Sequence, residues 1–330
     1  MNRTESLRVA FDRQIFRRQP RGGISRYFND LANGLQAETG ITLTHRRLAQ
    51  IVHATFYGGS PYRLAPSQRL VSSLFDLTPE RHPEHFLLPA LRSPHANKRK
   101  WLAASDLILS ISQASADDLC FFQPNLSTPI RVIHLATQID SISTHSVREL
   151  IGQRFWLFVG KRHAYKNALT LFRALKRLQP EQDQPRLVCA GGGSWSRREQ
   201  QWIETTGMGG QVMQRAANDH ELAWMYRHTE AVLVPSIAEG FSLPLIEALL
   251  CNTPVIASDL EAHREVSRSY ATLLPALNAD AWCQTLEQAR RKPLTRPQEA
   301  LGEQKYNELC DYYRMKRLIN EHIEAYQSLV

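Results

Sequence analysis

Short apolar runs rich in β-branched and aromatic residues alternate along the chain with longer segments whose apolar residues recur every three or four positions. This alternation is typical of parallel α/β layers, because a helix must join each buried strand to the next and cover the sheet. The first series consists of predicted strands at 7–11, 69–75, 106–112 and 129–135, with a helix at 24–35. The second consists of predicted strands at 155–160, 186–191, 231–236 and 253–258, with a helix at 168–178. The pattern predicts an α/β protein with two doubly wound, Rossmann-like domains facing a cleft.

A polar segment low in aromatic residues, 138–152, separates the two series and is the predicted linker. We therefore expect one domain over 1–150 and a second over 151–330. In the tail, 305–330, several apolar residues recur at three- and four-residue steps, which predicts a closing amphipathic helix. That helix either covers its own domain or returns to the first.

Charge is distributed unevenly along the 330 residues. Lys and Arg exceed Asp and Glu by 40 to 32, and residues 1–150 contribute 18 of the former and 12 of the latter. The basic first half favours an anionic partner such as a nucleic acid, a membrane surface or a phosphorylated substrate, and charge alone does not choose among them. No apolar run reaches the roughly 18 residues of a membrane span, and the start lacks a signal-peptide core. The five scattered cysteines indicate neither a disulfide framework nor a zinc knuckle, which favours a cytoplasmic protein.

The most informative segment, 231–258, joins a buried strand to a loop and a helix start. The order in that loop is Glu239, Gly240, Phe241, Ser242, Leu243 and Pro244. Serine suits a helix cap and proline a first turn. Gly240 lets backbone amides approach a ligand, and the helix start adds a positive partial charge of about half a unit. The carboxylates of Glu239 and Glu247 are suited to sugar hydroxyls, although most such glutamates are solvated or stabilise a helix.

The run EGFSLPLIE, followed by ALLCNTPVIAS, resembles the E-x7-E signature of the retaining glycosyltransferases of family 4, which have the GT-B fold. The resemblance implies that the second domain binds a sugar nucleotide and the first an acceptor. It implies a donor-binding set made of the catalytic Glu239, the ribose-binding Glu247 and the loop residues Gly240, Phe241, Ser242 and Leu243.

A basic loop in the run FVGKRHAYKN follows a predicted strand and precedes a helix. Its cations Lys161, Arg162 and Lys166 are suited to offset the charge of a diphosphate, although a solvated basic turn has the same composition. The run is similar to the G-R/K-x4-K-N loop that grips the pyrophosphate in the same family. The similarity implies that Lys166 and Lys161 are catalytic cations and that Arg162 shares in donor binding.

The glycine pair Gly22–Gly23 precedes the first helix, so its amides either face an anion or form an ordinary helix entry. The surrounding order resembles the start of many family 4 enzymes, which implies a place near the donor phosphates and the acceptor. Arginines flank this turn and are suited to a phosphate-bearing acceptor or an anionic lipid: Arg13, Arg17, Arg18, Arg21 and Arg26.

Three further residues are acceptor-contact candidates. The run FDLTPERHPEHF is similar to a family segment reading H-D-x-x-P-E-x-x-P, with Phe75 in the histidine position and Asp76 matching. His53 resembles another position at a strand end, and Asp12 directly follows the first strand. The resemblance therefore implies acceptor contacts for Asp12, His53 and Asp76.

These features predict a retaining glycosyltransferase that moves a hexose from a nucleotide-diphosphate sugar, with GDP-mannose favoured. The expected acceptor is an oligosaccharide or lipid-linked saccharide of cell-surface polysaccharide, lipopolysaccharide or O-antigen synthesis, reached from the cytoplasm with peripheral contact to an anionic membrane. Because no D-x-D triplet occurs, neither a metal nor a separate cofactor is expected. A sugar-nucleotide epimerase remains an alternative. A nucleic-acid-binding protein is less favoured, since the basic residues flank glycine turns and form no stripe with interleaved aromatics.

Overall fold

A computed structural model describes residues 6–20, 22–85, 97–162, 164–178, 181 and 184–330. The chain divides into two compact units: unit 1, made of Met1–Ala136 and Tyr312–Val330, and unit 2, made of Thr137–Asp311. Each unit contains a six-stranded sheet in which every described strand pair is parallel. Helices join the strands, so the predicted α/β class with two doubly wound sheets is confirmed.

Unit 1 contains the strands β1 (Leu7–Phe11), β2 (Ile41–Leu43), β3 (Ile51–Ala54), β4 (Arg69–Leu74), β5 (Leu107–Ser110) and β6 (Ile130–Val132). Their order in the sheet is β2-β1-β3-β4-β5-β6. The helices in the first part of the chain are α1 (Gln14–Arg18), α2 (Gly23–Ala37), α3 (Thr78–Arg81), α4 (Lys98–Ala103) and α5 (Gln113–Phe122).

Unit 2 contains the strands β7 (Phe155–Val159), β8 (Arg186–Ala190), β9 (Val212–Arg215), β10 (Ala231–Val234), β11 (Val255–Ser258) and β12 (Ala271–Leu274). Their order is β12-β11-β10-β7-β8-β9. The helices are α6 (Ala168–Arg177), α7 (Arg197–Thr206), α8 (Asp219–His228), α9 (Leu243–Leu250), α10 (Glu261–Ser267), α11 (Ala279–Arg291), α12 (Pro297–Leu301) and α13 (Glu303–Tyr312). Central strands such as β10 and β11 are buried throughout and almost entirely apolar, because helices cover both faces of the sheet.

The last helix, α14 (Met315–Gln327), belongs to unit 1 and packs on α2. The approach is close at Gly34, where an added methyl group would lie 2.1 Å from Cδ1 of Ile319. Leu31 and Leu318 are buried in the same apolar cluster. The prediction of a single helix in the tail is therefore wrong. The segment forms two helices, and the first of them, α13, lies in unit 2.

The division between the units differs from the predicted boundary at residue 150. Residues 137–150 pack on unit 2: Val147 and Leu150 are buried, and Arg227 donates a 2.6 Å hydrogen bond to the carbonyl oxygen of Asp140. The polar composition that predicted a linker reflects hydrogen bonding to unit 2. Within the described part of the chain, every helix is too short or too polar to cross a membrane.

Candidate active site

The loop after β7 begins at Gly160, whose φ of 118° lies in the region that favours glycine. Its amide donates to the Ala190 carbonyl oxygen at 2.9 Å, which anchors the loop to the end of β8. Lys161 and Lys166 follow on this loop. The chain turn at Gly160 therefore places the predicted phosphate-binding cations at the carboxyl end of the sheet, where ligands of doubly wound sheets bind.

Asn167 ties this loop to its neighbours. Its backbone is left-handed, with φ 55°, and its side-chain nitrogen donates to the carbonyl oxygens of Pro235 and Ala276, each at 2.9 Å. A backbone bond of 2.6 Å from the Ile237 amide to the Tyr165 carbonyl oxygen adds a second link. These bonds hold the basic loop against the loop that follows β10.

Lys166 and Glu239, the two foremost catalytic candidates, are in direct contact. Lys166 Nζ lies 2.6 Å from Glu239 Oε1, and the Ser236 hydroxyl donates to the same oxygen at 2.6 Å. The Glu239 side chain is only 8 % exposed, and that of Lys166 is 21 % exposed. The pair thus keeps opposite charges together at the rim of the sheet, where both ends remain close enough to solvent to meet a ligand.

The two neighbouring cations of the basic loop have different environments. Lys161 is exposed and makes no ion pair with any described residue. Arg162 is buried, and its guanidinium donates to Glu199 Oε1 at 2.7 Å and to the Ser194 carbonyl oxygen at 2.9 Å. It also lies over the ring of Trp195, 4.6 Å from the centroid. The predicted donor contact of Arg162 does not agree with this arrangement, because its side chain is occupied in holding the loop after β8.

Ser242 stands at the start of α9 in a strained conformation. Its φ of 88° is unfavourable for a residue with a Cβ, by about 1–2 kcal/mol. Its hydroxyl is buried and has no hydrogen-bond partner among the described residues. Phe241 is buried beside it, whereas Gly240 and Leu243 are half-buried. Strain and an unsatisfied buried hydroxyl are features that accumulate at ligand sites.

Glu247 faces the interior of unit 2 and is 6 % exposed. Its Oε2 accepts a 2.7 Å hydrogen bond from the hydroxyl of Tyr226, which is fully buried on α8. The Thr137 hydroxyl lies 3.5 Å from Oε1. The carboxylate is therefore held in a fixed orientation by its own unit.

His263 is a site residue that the sequence analysis did not single out. It is fully buried on α10, and its Nδ1 lies 2.7 Å from the Ser258 carbonyl oxygen, so Nδ1 carries the proton. Nε2 has no hydrogen-bond partner among the described residues. Burial lowers the pKa of the imidazole, and the nearby Glu239 carboxylate opposes that shift. A histidine within an amphipathic helix gives no sequence signal that separates this position from an ordinary core residue.

The acceptor candidates and the glycine pair all lie in unit 1. Asp12 is saturated by its own unit: Oδ1 accepts from the Thr55 amide at 3.0 Å, and Oδ2 accepts from Gln14 Nε2 at 2.7 Å and the Tyr62 hydroxyl at 3.1 Å. These bonds join the end of β1 to the loop after β3. The Asp12 carboxylate therefore stabilises unit 1. The acceptor contact predicted for Asp12 stays a prediction.

His53 is fully buried, contrary to its predicted acceptor contact. Nδ1 lies 2.7 Å from the Tyr326 hydroxyl and Nε2 lies 2.8 Å from the Ser73 hydroxyl, so both ring nitrogens are used inside the core. The ring also lies beside His322 of α14, with centroids 6.3 Å apart. His53 thus joins the sheet of unit 1 to the last helix.

Asp76 is half-buried after β4, where Oδ1 accepts from the Thr78 amide at 2.9 Å and starts α3. Phe75, in the position of the family histidine, packs edge-on against Tyr27 with centroids 5.5 Å apart. Phe75 therefore extends an aromatic core. The second carboxylate oxygen of Asp76 leaves room for the predicted acceptor contact.

Gly22 and Gly23 begin α2 as predicted. Gly22 is extended, and its carbonyl oxygen accepts from the Arg26 amide at 2.9 Å. An added methyl group on Gly23 would meet nothing within 4 Å, so its surroundings leave space beside the helix start. Of the flanking arginines, Arg21 lies outside the described residues.

Comparison with known proteins decides the family. The family model described as "Glycosyl transferases group 1" matches residues 144–308, half of the chain. The chain belongs to the group 1 glycosyl transferases. The matched range includes every donor-site candidate of unit 2, from Lys161 to Glu247.

Curated relatives of this group 1 chain are named as a mannosyltransferase and a glycosyltransferase. It is 25 % identical over 230 residues to the O-antigen chain mannosyltransferase B of Escherichia coli, covering 62 % of this chain and 56 % of that protein. It is 29 % identical over 172 residues to the D-inositol 3-phosphate glycosyltransferase of Corynebacterium jeikeium, covering 47 % of this chain and 41 % of that protein. The chain thus spans about half the length of the curated relatives it matches.

Solved structures agree with the fold over almost the whole chain. The sucrose-phosphate synthase of Thermosynechococcus elongatus superposes with a TM-score of 0.74 at 16 % identity, covering 98 % of this chain and 99 % of that chain. HepE of Anabaena, solved with UDP and glucose, gives a TM-score of 0.72 at 15 % identity, covering 98 % and 100 %. This group 1 glycosyl transferase therefore has the GT-B fold.

Proposed function

We propose that the protein is a retaining, metal-independent glycosyltransferase that transfers a hexose, with mannose favoured, from a nucleotide-diphosphate sugar. The observation that carries the proposal is the contact between Lys166 Nζ and Glu239 Oε1. An ammonium suited to a diphosphate lies here beside a carboxylate suited to sugar hydroxyls, and the two groups flank one point at the carboxyl end of the sheet.

The ion pair keeps both groups in place before the donor binds. On binding, Lys166 turns its proton donors to the diphosphate, and Glu239 accepts from sugar hydroxyls. Lys161 is exposed and free to approach the same diphosphate. The negative charge that builds on the leaving diphosphate is then stabilised by fixed cations, which is the largest contribution to catalysis in sites of this kind.

Retention follows if the acceptor hydroxyl attacks from the face that the diphosphate leaves. The departing phosphate oxygen then takes the hydroxyl proton, the new glycosidic bond forms, and the bond from the sugar to the phosphate breaks. Glu239 orients the sugar for this step. No histidine base is required, which agrees with Phe75 in the position of the family histidine.

The decisive experiment removes each charge of the pair in turn. Lys166→Ala and Glu239→Ala should each abolish transfer while the protein stays folded, as judged by its far-ultraviolet circular dichroism. A lower melting temperature is expected in both variants, because each breaks an ion pair in which the Glu239 side chain is only 8 % exposed. Lys305→Ala, an exposed lysine of the same unit, is the matched control and should retain full activity. Near-normal turnover in either site variant would remove the assignment.

The proposed donor rests on the named relatives, and the proposed acceptor rests on the exposed positive charge of unit 1. The O-antigen mannosyltransferase among the relatives supports mannose, and HepE, solved with UDP and glucose, makes a UDP-sugar the main competitor. A thermal-shift panel of GDP-, UDP-, dTDP- and ADP-sugars tests this, because a ligand that binds the native state raises its melting temperature. Incubation with the selected donor alone checks for epimerisation, which needs no acceptor.

An oligosaccharide on a lipid carrier is the proposed acceptor, with peripheral contact at the inner face of the plasma membrane. Exposed arginines on and before α1, namely Arg13, Arg17 and Arg18, support the contact with anionic lipid. Binding to anionic vesicles should be measurable at low salt and weaken as salt screens the charges. Absence of binding at low salt would refute the membrane contact and leave the transfer chemistry untouched.

A further inference from the structure

A short turn in unit 1 brings two histidines and a glutamate together. Pro83–His85 forms a single 3₁₀ turn directly after α3, and the His85 amide donates to the His82 carbonyl oxygen at 3.1 Å. Residues three apart on such a turn lie one above the other, so the rings of His82 and His85 point to the same side. Glu84 lies between them in sequence.

The potential ligand atoms are spaced as a metal requires. His82 Nδ1 lies 3.3 Å and His85 Nε2 lies 3.7 Å from Glu84 Oε1, and all three atoms lie within 4.8 Å of one another. Tetrahedral zinc with bonds of about 2.0–2.1 Å needs ligand atoms roughly 3.4 Å apart. Small side-chain rotations therefore suffice to place all three atoms around one ion.

We propose that His82, Glu84 and His85 form a divalent transition-metal site, with zinc as the preferred ion and water in the fourth position. Two imidazoles and one carboxylate are donors that zinc accepts, whereas magnesium and calcium prefer all-oxygen sets.

The turn is anchored from behind, which limits the rearrangement that binding requires. Lys98, 2 % exposed on α4, donates to Glu80 Oε2 at 3.0 Å and to the Asp76 carbonyl oxygen at 2.8 Å. Arg81 pairs with Asp118 of α5. A bound ion would therefore fasten the end of a segment that is already fixed at α3. This role is structural and independent of sugar transfer in unit 2.

The test is a calorimetric titration of zinc into the whole metal-free protein, purified without a polyhistidine tag. We expect one ion per chain, and tetrahedral visible absorption when cobalt replaces zinc. His82→Gln and His85→Gln should each weaken zinc binding tenfold or more, whereas His45→Gln, an exposed histidine of the same unit, should not.

Melting temperatures supply a second readout that does not depend on activity. Zinc should raise the melting temperature of the wild type and of His45→Gln but not of the two site variants, whose metal-free melting temperatures should equal that of the wild type. Absence of zinc binding, or equal affinity in the wild type and both site variants, would overturn the proposal. Magnesium binding as tight as zinc binding would also overturn it.

Discussion

The buried hydroxyl of Tyr226 donates a 2.7 Å hydrogen bond to Glu247 Oε2 and so fixes the carboxylate proposed to hold the donor ribose. In Tyr226→Phe the oxygen loses a donor worth about 1.5–3 kcal/mol. We expect the KM for the sugar nucleotide to rise by roughly tenfold or more, with little change in kcat. A donor lacking a ribose hydroxyl should lose less affinity in the variant than in the wild type. Equal KM values in variant and wild type would contradict this role.

Transfer should persist in the presence of a chelator, because lysines take the place of a bridging metal at the diphosphate. The assay compares initial rates with EDTA and with added magnesium or manganese. His82→Gln serves as the control, because this variant already lacks the zinc site proposed in unit 1. A chelator cannot change its rate by removing zinc from that site. Strict dependence of both proteins on magnesium or manganese would count against the cationic mechanism.

Glu80→Gln should destabilise unit 1, because it leaves the buried ammonium of Lys98 without its counter-charge. Breaking a buried pair typically lowers the free energy of unfolding by 3–5 kcal/mol, and the partial exposure of Glu80 places our expectation near the lower end, at about 3 kcal/mol. Urea unfolding measures the change. Glu261→Gln, at an exposed position of unit 2, should shift the midpoint little.

Stability should fall on mild acidification. Burial lowers the pKa of His322 to about 4 and holds that of His53 well below its ordinary value. The unfolded chain therefore binds protons below about pH 6.5 while the folded chain does not, so the free energy of unfolding decreases between about pH 6.5 and 4. For His322 alone the loss amounts to about 3 kcal/mol. Urea unfolding across this range tests the trend, which should flatten in His322→Gln.

Substitutions at Ser242 should distinguish the energetic cost of its backbone conformation from the contribution of its hydroxyl to donor binding. Ser242→Gly accepts φ 88° without penalty and should raise the melting temperature by a few degrees, the equivalent of about 1 kcal/mol. Ser242→Ala keeps the strain but lacks the hydroxyl, so it should raise the donor KM. It should also raise the melting temperature, because a buried hydroxyl without a partner costs about 1–3 kcal/mol. If Ser242→Ala binds the donor like the wild type, the buried hydroxyl has no part in binding.

The longer elements of both sheets were predictable from the sequence. The strand at 7–11 was predicted to the residue, and most others to within a few residues of their ends. The strands β2, β3, β9 and β12 were not delimited, because a strand of three or four residues shows too little periodicity unless apolar residues flank it, as they do at the equally short β5 and β6. The break between α13 and α14 was also missed, since apolar spacing alone continues across it.

Site residues were predictable only where the sequence of a single loop is recognisable by itself. Glu239 and Lys166 stand in two recognisable runs, yet their contact depends on the Asn167 bonds between loops, which no local pattern encodes. Arg162 and Lys161 are adjacent cations in the same loop, so the sequence does not distinguish their roles. Only the structure shows that Arg162 donates to Glu199 and holds a neighbouring loop. The burial of His53 likewise depends on a helix more than 250 residues further along the chain.

The return of α14 to α2 makes the first unit to be synthesised the last to be completed. Until Tyr312–Val330 leaves the ribosome, the apolar surface around Leu31 and Gly34 has no cover, whereas all the strands of unit 2 have already emerged. An order of assembly in which unit 2 matures first follows from this connectivity. A purified chain that ends at Arg314 should accordingly yield a protease-resistant fragment from unit 2 and degraded peptides from unit 1.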